Sequence, residues 1–111
     1  MQMAESEIIQ IEDRRFPVAC EGEAIVARRC VKEMTLDAGF DSRFAEEIAI
    51  VVSELAFNIS HHAGRGHICF RILRQGCDKG IEIEANDEGR GIDDVASALA
   101  DGFSTAGGLG Y

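Results

Sequence analysis

One apolar stripe constrains this chain more than any other feature. Phe44, Ile48, Val51, Val52, Leu55 and Ile59 recur at spacings of three and four residues, the period of a helix with one buried face. Asp41 or Ser42 stands where the first N–H groups need a side-chain acceptor, and Glu46 and Glu47 lie near the positive end of the helix. His61 and His62 fall in its last turn, before Gly64. At 1.5 Å per residue such a helix is about 30 Å long, the spine of a small domain. A second amphipathic helix is predicted from Glu23 to about Ala38. There Val26, Cys30 and Met34 recur every four residues with Ala27 and Val31 beside them, and Gly39 is placed to end it.

Strand periodicity follows the long helix. Ile68, Phe70 and Ile72 alternate with His67, Cys69 and Arg71, and Ile81, Ile83 and Ala85 alternate with Glu82, Glu84 and Asn86. The link from Gln75 to Gly80 holds two glycines, so the pair reads as an antiparallel hairpin with one face on the helices and the other in water. The isoleucine-rich segment Glu7 to Ile11 reads as a first strand, and Asp13 to Glu23, with Pro17 and Gly22, as a connection. Asp93 is positioned to cap a short helix running to about Ala100, and a glycine run from Gly102 to Tyr111 closes the chain.

Composition narrows the function. The 111 residues hold 11 basic and 20 acidic side chains, a formal charge of −9. That surface repels nucleic-acid phosphates and anionic membranes, and no basic stripe suited to a nucleic acid offsets it. No apolar stretch is long enough to span a bilayer. A phosphorylated small molecule would need Mg²⁺ and backbone N–H groups rather than a bed of lysines. Cys20, Cys30, Cys69 and Cys77 show no C-x-x-C spacing, and with no secretory context they read as reduced cytosolic thiols, mostly small core hydrophobes.

Three groups of residues carry candidate chemistry. Glu54 and Asn58 lie one helical turn apart, along a margin of the apolar stripe. Partial desolvation there would make the carboxylate a better proton acceptor, and the amide oxygen is a hard ligand of the kind Mg²⁺ takes. Asp87-Glu88-Gly89-Arg90-Gly91 follows a predicted strand directly. A carboxylate at a strand end can accept from an exocyclic amine such as that of adenine, and Gly89 and Gly91 let the backbone turn close to a flat ring. Gly107-Gly108-Leu109-Gly110 can form a nest of N–H groups for phosphate oxygens. Each group alone also reads as ordinary structure: a surface glutamate, a glycine turn, a chain end.

Their order makes a composite pattern. Ser53-Glu54-Leu55-Ala56-Phe57-Asn58-Ile59, Ala63-Gly64-Arg65-Gly66-His67-Ile68, Asp87-Glu88-Gly89-Arg90-Gly91-Ile92 and Asp101-Gly102-Phe103-Ser104-Thr105-Ala106-Gly107-Gly108-Leu109-Gly110 together resemble the GHKL (Bergerat-fold, HATPase) superfamily. Within it the likeness is to anti-sigma-factor-type serine/threonine kinases, the RsbT-like stressosome switch kinases, from about Glu23 onward. The resemblance implies an α/β (α+β) two-layer sandwich, with helices on one face of a mixed, mostly antiparallel sheet and ATP held between. It implies Glu54 as the base for the attacking hydroxyl, Asn58 as the Mg²⁺ ligand and Asp87 as the adenine-binding aspartate. Gly89 and Gly91 would form the adjacent turn, and Gly107, Gly108 and Gly110 the start of the phosphate-contacting G1 box. His62 falls where related helices often carry a ring, and the residues alone suggest a satisfied structural histidine.

The resemblance further implies a cytoplasmic kinase acting on a STAS-domain anti-sigma antagonist or stressosome scaffold protein, with a PP2C-type phosphatase activated after release, and it leaves room for an oligomer. Relatives continue past the glycine run into a helix and closing strands. The expectation is one HATPase-like domain over residues 1–111 lacking those elements, with weakened or absent turnover. A binding module on the same fold that no longer holds nucleotide productively is the alternative.

Overall fold

The computed structural model describes residues 7–87 and the backbone of residues 93–99. Seven elements follow in order: β1 (Ile8–Val18), α1 (Glu21–Asp37), α2 (Ser42–Asn58), a π-helical turn (Ile59–Ala63), β2 (Gly66–Gln75), β3 (Asp78–Asp87) and β4 (Asp93–Leu99). The strands form one sheet in the order β1-β2-β3-β4. Every pairing in it is antiparallel, so the mixed character expected of the sheet is absent among the described residues.

The two long helices expected form, with one rotation. Asp41 caps α2, its carboxylate accepting from the Phe44 N–H at 2.9 Å, and Ile48, Val51 and Val52 are buried as the stripe requires. In α1 the buried seam is Ala27, Val31 and Thr35 rather than Val26, Cys30 and Met34. Val26 is 55% exposed, and Cys30 and Met34 only flank the core. Both stripes obey the same period, and packing against β1 and α2 selects the one with the smaller residues. Thr35 tolerates full burial because its hydroxyl donates to the Val31 carbonyl at 2.7 Å. Gly39 follows the Ala38 cap with a left-handed φ of 99°, as expected.

The strands depart further from expectation. β1 continues through the segment read as a connection, pairing Asp13 with Arg71 and Pro17 with His67. Proline is tolerated because β1 is an edge strand and its nitrogen owes no ladder bond. Phe16 and Val18, two residues apart, both reach the core from it. The hairpin turn is tighter than Gln75 to Gly80: β2 and β3 are joined by Gly76 and Cys77 alone. Residues 93–99 pair with β3 from Asn86↔Asp93 to Gly80↔Leu99, so the helix expected after Asp93 is a strand. Its residues Asp93-Asp94-Val95-Ala96-Ser97 suit either element, and a free sheet edge on β3 decides for pairing.

Both helices cover one face of this sheet. Phe16, Val18, Ile68, Phe70, Ile72, Ile81, Ile83 and Ala85 meet Ala27, Val31, Ile48, Val51, Val52, Ala56 and Ile59 in a single cluster. Each fully buried Ile or Phe contributes roughly 1.5–3 kcal/mol. The other face carries charge: Arg71 bridges Glu82 at 2.8 Å and Glu84 at 2.9 Å, with Asp13 at 3.8 Å. Register explains this, since Glu82 and Asp13 are the residues directly opposite Arg71 on the flanking strands. Of the cysteines only Cys69 is buried; Cys20 and Cys77 are exposed and Cys30 is intermediate, which corrects the reading of most as core residues.

Candidate functional site

The α-helical ladder of α2 ends at Asn58, and the chain then widens into the π turn, closed by a bond from the Gly64 N–H to the Ile59 carbonyl at 3.0 Å. Gly64 reverses the chain there with a φ of 86°. A π turn holds one extra residue, which rotates His61 and His62 out of the register a continued α-helix would give them. His61 stacks on Phe57 with ring centroids 4.0 Å apart. His62 is exposed, so the satisfied structural histidine expected there is not what forms.

Ile59 anchors this end of the helix. It is 4% exposed and packs over the start of β2, where Gly66 faces the last residues of β3. A Cβ on Gly66 would overlap the Asn86 carbonyl oxygen and would lie 3.1 Å from both the Asp87 Cα and the Ile59 Cγ2. Three chain segments therefore converge on a point that only glycine can occupy: the end of α2, the start of β2 and the Asp87 end of β3. Gly66 stood in the motif without a role, and its significance became readable only with the register Gly66↔Asp87.

This convergence brings the carboxyl-terminal turn of α2 to the sheet end that carries Asp87. Glu54 and Asn58 are both exposed on α2, one turn apart, and Asp87 is half-buried. Glu54 does not have the partial desolvation expected from its place beside the stripe. Gly89, Gly91, Gly107, Gly108 and Gly110 lie outside the described residues. Beside Asp87 sits a network the sequence reading missed. Asn86 and His67 are cross-strand partners, joined Nδ2 to Nε2 at 3.0 Å, a bond satisfied when the imidazole Nε2 accepts. Asn86 also helps, to a lesser degree, to stabilise the charged form of Glu84. The Arg71 guanidinium, hydrogen-bonded to Glu84, holds that carboxyl below its ordinary value of 4.5, against a smaller opposing push from burial. Asp87 thus ends a strand whose two preceding polar residues are tied down.

A family model described as the histidine kinase-like ATPase domain matches residues 16–111. The chain belongs to that family. The match begins at Phe16, so it takes in only the last residues of β1, Phe16 to Val18. The chain is 37% identical over 93 residues to the serine/threonine-protein kinase RsbT of Bacillus subtilis (strain 168), an alignment covering 84% of this chain and 70% of that protein. Membership of an ATPase-domain family implies ATP as the ligand of the ATPase site, and similarity to RsbT supports a protein kinase. Among the described residues no helix is long and apolar enough to cross a membrane.

Proposed function

We propose that this ATPase domain is the catalytic part of an ATP-dependent serine/threonine kinase of the anti-sigma switch type. It would act on a STAS-domain antagonist or scaffold partner in a cytoplasmic partner-switching pathway, with a PP2C-type phosphatase downstream. The observation that supports the reading is the convergence at Gly66, where Ile59, just past the end of α2, meets the Asp87 end of β3. The likeness to RsbT supports the choice of protein kinase over other ATPase chemistry.

The residues fit a magnesium nucleotide. Asn58 offers a hard amide oxygen on an exposed helix turn, and Glu54 offers an exposed carboxylate one turn before it. Mg²⁺, when bound, neutralises charge on the phosphates during transfer. Asn58 would hold that ion, and Glu54 would accept the proton of the attacking Ser or Thr hydroxyl, its exposure leaving room for a protein substrate to approach. Asp87 would accept a hydrogen bond from the adenine amino group, held by the strand that Asn86 and Glu84 fix. Gly89 and Gly91 would shape the turn beside the base, and Gly107, Gly108 and Gly110 would offer N–H groups to the phosphates.

Two variants test the division of labour. Asp87→Asn should remove most MgADP binding, measured by calorimetry, because it turns an acceptor toward the amine into a partial donor. Glu54→Gln should bind MgADP as the parent does and lose phosphoryl transfer to a STAS-domain substrate by about 10²-fold or more. Equal nucleotide binding by Asp87→Asn and parent would refute the site. Partner binding without any nucleotide binding by the parent would select the non-catalytic module instead.

A further inference from the structure

We infer that the outer face of α1 is a docking surface for an acidic amphipathic helix of a protein partner. Ile25, Arg29, Lys32 and Leu36 follow one another at spacings of four, three and four residues. At about 100° per residue they fall within an arc of roughly 60°, some 135° around the helix from the buried Ala27–Val31–Thr35 seam. Ile25 is 50% exposed and Leu36 40% exposed, which leaves a large apolar side chain in solvent at each end of the stripe. Arg28 borders it, and Ile25, Arg28, Arg29 and Lys32 line a shallow groove. The face is thus apolar, then cationic over two turns, then apolar again, along about 16 Å.

Charge selects the occupant. The chain carries 20 acidic against 11 basic side chains, and three of the eleven lie within residues 28–32. Lys32 already bridges Glu46 at 2.8 Å across to α2. Arg28 and Arg29 are both exposed and, among the described residues, neither is in a salt bridge like that of Lys32; Arg28 adds only a minor attraction to Glu46. An acidic partner would be drawn to this face against the net negative charge of the chain, which confers orientation as well as attraction. A helix with glutamates between two leucines eleven positions apart would match cations and both apolar ends together, by helix-to-helix ridge packing. The surface is separate from Glu54, Asn58 and Asp87, so it stands or falls independently of the kinase reading.

A fluorescein-labelled synthetic helix with two leucines eleven positions apart and glutamates between them on the same face tests this by anisotropy against the full chain. Saturable binding is expected, weakened at least about tenfold by Arg28→Glu with Arg29→Glu and several-fold by raising salt well above physiological strength. A second peptide with lysines in place of the glutamates should not bind. Arg28→Ala with Arg29→Ala, which adds no repulsion toward Glu46, should still lose several-fold while retaining the parent's helical circular dichroism. MgADP binding, measured in parallel, should be the same in all these variants. No saturable binding of the acidic helix, equal binding of the lysine helix, or unchanged affinity in both arginine variants would each overturn the inference. Loss of MgADP binding by the parent with peptide docking intact would instead count against the kinase reading alone.

Discussion

Gly66→Ala is the substitution on which the structural argument is most exposed. The added Cβ meets the Asn86 carbonyl oxygen, part of the β2–β3 ladder, and presses on the Asp87 Cα and Ile59 Cγ2 at 3.1 Å. Relief requires the strand backbones to part by on the order of 1 Å, since a carbon rests about 3.3 Å or more from a carbonyl oxygen. Overpacking against side chains that can turn aside costs about 1–3 kcal/mol. Here the nearest atom is a backbone oxygen, so the upper end, about 3 kcal/mol, is expected. That is a large share of the ~5–15 kcal/mol by which domains are stable, and it corresponds to roughly 12–24 °C in midpoint for a domain of this size. Gly64→Ala removes no close contact, since its Cβ meets nothing within 4 Å, and its cost comes from a positive-φ backbone outside the ordinary wells, about 1–3 kcal/mol. Urea unfolding followed by circular dichroism measures both. A loss below about 1 kcal/mol for Gly66→Ala would refute the convergence of helix end and strand end at this glycine. Because the same contact sets α2 beside Asp87, Gly66→Ala should also weaken MgADP binding under conditions where the variant remains folded.

Two further outcomes follow from single interactions. Asp41→Ala removes the side-chain acceptor of the Phe44 N–H and should lower stability by about 1 kcal/mol in the same urea assay. Arg71→Met should change the acid limb of the stability curve. Glu84 is held below its ordinary 4.5 chiefly by its hydrogen bond to Arg71, so its contribution is complete above the unfolded value and is lost as pH falls through the depressed folded one. The parent should therefore lose stability more steeply than Arg71→Met below about pH 4.5, and parallel curves there would contradict the assignment.

The two long helices, the hairpin, its inward residues and a cap at Asp41 or Ser42 were legible in the sequence because each is set by periodicity or by one local acceptor; the structure selects Asp41. The family was legible as a resemblance carried by the motifs around Glu54, Asn58, Asp87 and the glycines, and the match over residues 16–111 agrees with it. Other features depended on distant partners. Asp13 to Val18 looks like a connection until β2 offers it an edge, and residues 93–99 look helical until β3 does. The seam on α1 could be Val26–Cys30–Met34 or Ala27–Val31–Thr35 by period alone, and only the neighbours of the helix distinguish them.

Order along the chain determined which groups can serve chemistry, since side-chain type and local spacing are written residue by residue. Tertiary structure decided where they meet: the π turn that halts α2, the register that places Gly66 opposite Asp87, and the bond that ties His67 to Asn86. The reason is one of range. A helix period or a cap is satisfied within a few residues, whereas a close approach between a helix end and two strand ends depends on atoms far apart in sequence, and only the folded chain brings them to one place.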